Sequence, residues 1–477
     1  MPRPRPERAT ALAPAAVAAA LLLATALRAV GLGDASLWFD EAFAAHAAAQ
    51  PSLAAAWRSD PTNPPLFYAL AWLAARALGS GEFALRLPAT LLGVVAAALA
   101  ARVAGRAFGR RAAPWAALLV AVSPLQVWAG REARMYTLLA VCALTAVAGG
   151  LAYAGLDGGD RRRDAAPLPS AAPPPAPRPR RGWRPLALVA AAELGALYSH
   201  NTGPVVVAAL NALALGFWLA ARRDARPAWW PWLAAQVVVG AAWAPEWAAR
   251  FRRLGAANDA LAAHPPLDAA TLWALWRAQW VVPWGRAPDG AEGWLVAIAF
   301  VAVLMAIPWR RPAARALAAA AALLAAGVVA GLVVLQNELH GRYLVMAGPP
   351  LWAAVAGGLA GGRAGGRPVG HRRGAAAFGV TVLIAAAALG LARAFATPDW
   401  HEDARAMARR QAQTLGPGDT GVAMSYVERH DLTYYHDRFG LAARTLTLSE
   451  DAGADAVRPR LPRAGRAALA IRYGSAA

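Results

Sequence analysis

The chain has 477 residues, of which 58% are hydrophobic, and carries a formal net charge of +20. Its mean hydropathy of +0.35 and its long apolar runs exclude an ordinary soluble enzyme and indicate a membrane protein with many spans. The chain contains no lysine, and its arginines gather in short clusters between the apolar runs. Such clusters are typical of cytoplasmic loops, so we expect membrane lipids and no nucleic acid as partners.

The first apolar run, near 11–31, is long enough to cross a bilayer as a helix. With the N-terminus inside, this span delivers the acidic pair Asp40 and Glu41 to the outer face. The next apolar segment, Pro64 to Leu78, is about 15 residues long, which is short for a span, and we predict an external interfacial helix there. The return span near 83–104 then ends in arginines, as an inner loop should.

The same reasoning predicts about eleven spans in residues 1–396. The later ones lie near 112–129, 133–155, 185–199, 203–221, 229–247, 294–309, 314–335, 343–361 and 375–396. A cytoplasmic linker rich in proline and arginine, near 157–184, has the composition of a disordered segment.

Residues 397–477 form a polar tail, which this topology places outside. A helical pattern covers 399–415, and short strand-like runs follow at 421–426, 444–448 and 467–472. The predicted fold class is therefore an all-α polytopic membrane domain, 1–396, followed by a small extracytoplasmic α/β domain, 397–477.

The external turns collect polar side chains that would meet on one face of the membrane. They are Asp40, Glu41, Asn63, Arg131, Glu132, Arg134, Tyr136, His200, His340, Arg342 and Tyr343. Glu193 lies within a span, seven residues before His200 and on the same helical face. A carboxylate buried in a span is costly and suggests a functional role.

Structural explanations compete with functional ones at several of these positions. Adjacent carboxylates at a helix start favour the helix dipole without any chemistry. Arg131 and Arg134 could reach lipid headgroups or pair with Glu132. Their predicted external position breaks the usual charge bias, however, and an anionic ligand would account for it.

The whole set suits transfer of a sugar from a lipid phosphate. A carboxylate close to an acceptor hydroxyl can act as a general base. Paired arginines can bind a phosphate and stabilise it as a leaving group. No nucleotide-sugar pool normally exists outside the membrane, so a donor anchored by a polyprenyl chain fits best.

The ordered motifs resemble those of a known group. They are Trp38-Phe39-Asp40-Glu41, Asn63-Pro64-Pro65-Leu66-Phe67-Tyr68, Glu82-Phe83-Ala84-Leu85-Arg86-Leu87-Pro88, Arg131-Glu132-Ala133-Arg134-Met135-Tyr136, Tyr198-Ser199-His200 and Arg342-Tyr343-Leu344. Over about residues 11–396 the chain is similar to the GT-C glycosyltransferases. It looks most like the bacterial family 39 branch, which includes protein mannosyltransferase-like and lipid A aminoarabinose transferase-like membrane proteins.

The resemblance implies an inverting hexosyl- or pentosyltransferase that uses a polyprenyl-phosphate sugar and depends weakly or not at all on a metal. Asp40, with Glu41 beside it, would be the catalytic carboxylate. The donor phosphate would be bound by Arg131, Arg134, Arg342 and Tyr343. Asn63, Glu132, Tyr136, Glu193, His200 and His340 would contact substrate. Asn63 stands where related aminoarabinose transferases have a lysine, which removes one phosphate-binding cation.

No cofactor or metal site is indicated, although a divalent metal is not excluded. The histidine–aspartate pairs at His430 and His436 lack a convincing third ligand. The acceptor could be a lipid, a glycan or a protein. The alternative function is a transporter or flippase of lipid-linked sugars, against which stand the absence of an internal repeat and the clustering of polar groups outside the spans. The expected location is the bacterial cell membrane, with the active site facing outside.

Overall fold

The computed structural model describes most of the chain. It covers residues 6–60, 62–158, 182–221, 226, 228–254, 268–277, 290–334, 340–360, 370–396, 403–417, 419–423, 434–441, 444–447 and 467–470. Most of the predicted cytoplasmic linker therefore lies outside the described residues.

Helices occupy every segment in which a span is predicted. They are α1 Pro6–Ala29, α5 Glu82–Phe108, α6 Ala112–Val122, α8 Tyr136–Tyr153, α9 Trp183–Leu197, α10 Gly203–Ala220, α11 Trp230–Leu254, α13 Gly290–Met305, α14 Pro312–Val334, α15 Gly348–Leu359 and α16 Gly370–Ala396. Five of the described helices are long and apolar enough by themselves to cross a membrane, and several apolar helices are shorter. The chain is thus a multi-pass membrane protein with the predicted all-α fold class.

Shorter helices connect these segments. They are α2 Phe39–Ala48, α3 Leu53–Trp57, α4 Leu66–Leu78, α7 Pro124–Ala129, α12 Ala269–Arg277 and the 3-10 helix Gly341–Ala347. At 13 residues, α4 is too short to span, as its sequence predicts. The predicted span 112–129 is wrong in one respect: it breaks into α6 and α7 at Ser123-Pro124, because proline has no N–H to continue the helix.

The chain ends of the spans agree with the alternating topology. Arg106 at the end of α5 lies 3.5 Å from Asp157, just beyond α8, so these two ends share one side. On the opposite side, the Leu66 N–H donates to the Tyr198 carbonyl at 2.9 Å. The candidate site is built on that second side.

A charged side chain, Arg28, is tightly packed near the end of α1. Arg28 is fully buried and donates to the carbonyls of Ala24 and Ala121, at 3.0 and 3.1 Å. A β-carbon at Gly93 or Gly130 would lie within 2.9 Å of this side chain. Glycine at both positions is therefore what lets the guanidinium lie between α1, α5 and α7.

The predicted C-terminal α/β segment is present in the structure. It comprises α17 Ala404–Thr414, a short helix at 434–439, and the strands β1 Thr420–Ala423, β2 Arg444–Thr447 and β3 Ala467–Ala470. The strands form a parallel sheet in the order β2-β1-β3. All three predicted strands lie within a few residues of their expected positions, and the predicted domain boundary at 397 falls outside the described residues.

Candidate active site

Glu41 is a fully engaged buried carboxylate. It lies in the first turn of α2 and has no exposed surface. Arg86 of α5 donates two hydrogen bonds to its carboxylate, at 2.7 and 2.6 Å, and the Ala133 N–H donates a third at 2.7 Å. Because its oxygens are occupied, the geometry gives Glu41 the task of joining α2 to α5 and to the 130–135 turn.

Asp40 has a different environment from its neighbour. Its Oδ2 atom lies 3.0 Å from Arg342 Nη1, and its side chain is 14% exposed. The same Oδ2 atom accepts no hydrogen bond from the described residues. Asp40 therefore keeps hydrogen-bonding capacity for a ligand, whereas Glu41 does not.

Arg134 reaches the site from the turn before α8. Its Nη1 donates to the Asp40 carbonyl at 2.9 Å and contacts the Tyr68 hydroxyl at 3.3 Å. Burial alone would lower the pKa of Arg134, but its acidic neighbours, Tyr68 and Asp40 among them, raise it above its ordinary value. The guanidinium thus stays positively charged although it is buried.

Asp60 organises the loop before α4 and binds Tyr68, the residue of α4 that Arg134 contacts. It is buried and accepts hydrogen bonds from Thr62, Asn63 and the Tyr68 hydroxyl, the last at 2.5 Å. Burial opposes ionisation of Asp60, yet these hydrogen bonds lower its pKa. Asn63, predicted to contact substrate, donates its amide to Asp60 at 3.0 Å and so stabilises the loop in this structure.

Arg342 approaches Asp40 from the 3-10 helix. Its guanidinium carbon lies 5.6 Å from the Trp38 ring centre and 5.5 Å from that of Tyr343. These cation–π contacts hold the charge over Asp40 without using up all of its N–H donors. The structure therefore brings Asp40, Arg134 and Arg342 together, as the sequence predicts.

His200 lies among aromatic rings on the same side. Its ring centre is 5.7 Å from that of Tyr136 and 5.4 Å from that of Tyr343, and the His340 ring contacts Tyr343 in turn. The Thr202 N–H donates to His200 Nδ1 at 3.0 Å, which leaves the ring proton on Nε2. Burial, and then the charges of the two site arginines, lower the pKa of His200 to about 3, so the ring is a neutral donor.

Glu132 is also buried beside the site. The Trp38 indole N–H donates to its carboxyl group. Burial, and next the negative charge of Glu41, raise the pKa of Glu132 to about 8. At neutral pH this side chain is therefore mainly protonated. Its hydrogen bond fixes the Trp38 ring, which Arg342 contacts.

Two of the predicted site residues have other surroundings. Arg131 donates to the carbonyls of Arg28, Val30 and Gly31, with distances of 3.2, 2.6 and 3.2 Å. It therefore caps the C-terminus of α1 rather than facing Asp40. Glu193 accepts from Gln236 at 2.9 Å in a polar chain between α9 and α11, instead of joining the Asp40 cluster.

The Asp40 cluster offers both charge signs to a ligand. Buried atoms without a hydrogen-bond partner among the described residues include Asp40 Oδ2, Arg134 Nε and Arg342 Nε. Unpaired buried polar atoms are costly, so three of them on residues that contact one another indicate a binding site for a polar, anionic group. A carboxylate oxygen beside two guanidinium groups can accept a proton while the arginines stabilise a phosphate.

The described residues contain no group of three or more His, Cys, Asp or Glu side chains able to hold a metal ion. In the C-terminal segment, His436 pairs with Gln411 at 2.6 Å.

Asp60 and Tyr68 were not predicted from sequence. Tyr68 lies within the Asn63–Tyr68 motif, and its place in that motif is the sequence feature that could have identified it as a site residue. Asp60 precedes an Asn-Pro-Pro turn, where an aspartate commonly caps backbone N–H groups, and that pattern gave no hint of the link to Arg134.

Similar proteins place this geometry in a known fold. Residues 62–153 match the family described as dolichyl-phosphate-mannose-protein mannosyltransferase. The apo structure of ArnT from Cupriavidus metallidurans is 18% identical, with a TM-score of 0.55 over 95% of this chain and 89% of that one. Its complex with undecaprenyl phosphate gives a TM-score of 0.56, again at 18% identity, over 96% and 90% of the two chains.

The archaeal oligosaccharyltransferase AglB from Archaeoglobus fulgidus, in complex with an inhibitory peptide and a dolichol-phosphate, is 14% identical. Its TM-score is 0.50 over 92% of this chain and 64% of AglB. No curated protein matches the chain in sequence. The resemblance to GT-C glycosyltransferases that the motifs predict is thus confirmed in the fold, which is that of ArnT.

Proposed function

We propose that this protein is a membrane glycosyltransferase that moves a sugar from a polyprenyl-phosphate donor to an acceptor hydroxyl. The observation that carries the proposal is the pair of arginines that contact Asp40: Arg342 Nη1 lies 3.0 Å from its carboxylate, and Arg134 Nη1 donates to its backbone carbonyl at 2.9 Å. The shared fold with ArnT, whose structure binds undecaprenyl phosphate, supports a lipid phosphate as the donor. The match of residues 62–153 supports sugar transfer as the reaction.

In the proposed reaction, the acceptor oxygen attacks the anomeric carbon of the donor sugar. The bond between that carbon and the phosphate oxygen breaks, and its electron pair leaves with the polyprenyl phosphate. Asp40 Oδ2 takes the acceptor proton, and Arg134 and Arg342 stabilise the departing phosphate. Attack on the face opposite the phosphate inverts the configuration at the anomeric carbon.

The surrounding residues would orient the substrates. His200, held neutral with its proton on Nε2, can donate a hydrogen bond to a sugar or phosphate oxygen. Tyr136 and Tyr343 flank it with aromatic faces suited to a sugar ring. We place the site on the outer face of a bacterial cell membrane, following the arginine distribution. No required metal forms part of the proposal, and assays with and without a chelator test that point.

The test is sugar transfer from a radiolabelled polyprenyl-phosphate sugar by purified protein in detergent. Asp40→Asn should lower kcat by at least a hundredfold, since the base is lost, while donor binding persists. Asp34→Asn is a matched control, because Asp34 is an exposed carboxylate on the loop that leads into α2. Full activity of Asp40→Asn would remove Asp40 from the mechanism. Movement of the labelled lipid across vesicle membranes without a new glycosidic bond would favour the flippase instead.

A further inference from the structure

The C-terminal segment forms hydrogen bonds with the loop before α2, which leads into the candidate site. The Tyr435 hydroxyl accepts the Leu37 N–H at 2.7 Å and donates to Glu82 Oε1 at 3.0 Å. Arg405 Nη2 donates to the Ala35 carbonyl at 2.8 Å. It also lies 2.9 Å from Glu82, and Arg438 pairs with the other Glu82 oxygen at 2.6 Å.

These contacts are buried, which makes them costly to break. Tyr435 and Leu37 have no exposed surface, and Glu82 is 5% exposed. A buried N–H that loses its acceptor pays the full cost of desolvation. The Leu37 N–H has Tyr435 as its acceptor, so removing this one hydroxyl would loosen the loop at that point.

The same loop is held from the membrane side by Arg86. Its Nη1 donates to the Ala35 carbonyl at 2.9 Å, and its Nη2 to the Ser36 carbonyl at 2.9 Å. The Ala35 carbonyl thus accepts from Arg86 and from Arg405 together. The loop is clamped between the membrane domain and the C-terminal segment.

The clamped residues lead directly to the reacting groups. Leu37 precedes Trp38, whose indole binds Glu132 and whose ring supports Arg342. Asp40 follows two residues later, in the first turn of α2. A displacement of the loop would therefore move both Asp40 and the ring beneath Arg342. Misplacement of a reacting group by about 1 Å can cost about a hundredfold in rate.

We propose that Tyr435 is a positioning residue, through which the C-terminal segment sets the place of Asp40 for catalysis. The inference rests on the proposed glycosyl transfer for its effect on rate. The contact itself does not depend on that function. The C-terminal segment thereby becomes part of the working enzyme.

The experiment compares Tyr435→Phe with Tyr434→Phe in the full-length protein. Tyr434 is a matched control, because its hydroxyl also docks the segment, at 2.6 Å to the Ser80 carbonyl, without touching the loop before α2. Tyr435→Phe should lower kcat about tenfold and leave KM for the polyprenyl-phosphate sugar within twofold. Tyr434→Phe should change both constants by less than twofold. Equal losses in the two variants, or wild-type kcat in Tyr435→Phe, would overturn the positioning role.

Hydrogen exchange followed by mass spectrometry supplies a readout that does not need activity. Peptides covering 32–38 should exchange faster in Tyr435→Phe and not in Tyr434→Phe. If peptides 32–38 exchange faster in Tyr435→Phe but the wild-type protein transfers no sugar, the contact of Tyr435 with the loop is retained and the proposed function is refuted. If these peptides exchange at the wild-type rate in Tyr435→Phe and Asp40→Asn is inactive, the role of Tyr435 is refuted and the proposed function is retained.

A second variant covers the case in which Tyr435→Phe does not fold. Arg405→Gln removes the donor to Ala35 and leaves the Leu37 N–H paired. It should lower kcat three- to fivefold at constant KM, and an unchanged kcat would contradict the proposal.

Discussion

Replacing Glu41 by glutamine should damage the fold more than replacing Asp40 by asparagine. Glu41→Gln puts an NH2 group against Arg86, which now makes two hydrogen bonds of 2.7 and 2.6 Å to the carboxylate. Arg86 would remain as an uncompensated buried charge, which costs about 3–5 kcal/mol. Asp40→Asn loses one ion pair whose side chains are 14% and 20% exposed, a loss that lies between those of a surface pair and a buried pair, at about 1–3 kcal/mol.

The assay is equilibrium unfolding in mixed micelles with increasing SDS, followed by circular dichroism. Glu41→Gln should unfold at a clearly lower SDS fraction than wild type, and Asp40→Asn at a fraction closer to that of wild type. An Asp40→Asn protein less stable than Glu41→Gln would refute the division of roles between the two carboxylates.

Three further predictions concern the turn that precedes α8. Arg131→Ala should lower the free energy of unfolding by about 1–2 kcal/mol, because the α1 carbonyls lose their donor, yet leave donor affinity unchanged. Arg134→Ala should weaken donor binding at least tenfold in the same titration. Glu132 has its pKa raised from 4.5 to about 8, so its contribution to stability is complete below pH 4.5 and falls as the pH rises to about 8. Wild-type protein should therefore lose stability as the pH rises from 4.5 to 7, and Glu132→Gln should lose less, as measured by unfolding at each pH.

The membrane fold could be predicted from the sequence because its strongest constraint is local. A span must be apolar over a length fixed by the bilayer and must satisfy its own backbone, so hydropathy and length locate it. The predicted span 203–221 and helix α10 Gly203–Ala220 agree closely for this reason. The break between α6 and α7 was missed because composition stays apolar through Ser123-Pro124. There the Gln126 amide donates to the Val345 carbonyl at 2.6 Å, a partner remote in sequence.

The sequence indicates which residues could form the site, but it does not indicate how their side chains are arranged. Arg131 and Arg134 are three residues apart in an irregular turn, and no helical or strand period relates their directions. In the structure one reaches back to the end of α1, and the other reaches forward to Asp40 and Tyr68. Which arginine faces the substrate therefore depends on the path of the backbone, which distant contacts such as Ala133 with Glu41 determine.

The acidic pair Asp40-Glu41 shows, within a single helical turn, the same limit of predicting side-chain direction from sequence. Successive residues of a helix point about 100° apart, so Asp40 and Glu41 must face different surroundings. The sequence does not say which one faces inward. Glu41 shares a face with Ala45 and Ala48, whereas Asp40 shares one with Ala44 and Ala47, and all four alanines are buried. Because buried alanines lie on both of these faces, they do not distinguish the two carboxylates, and the inward one is selected by Arg86, 45 residues away.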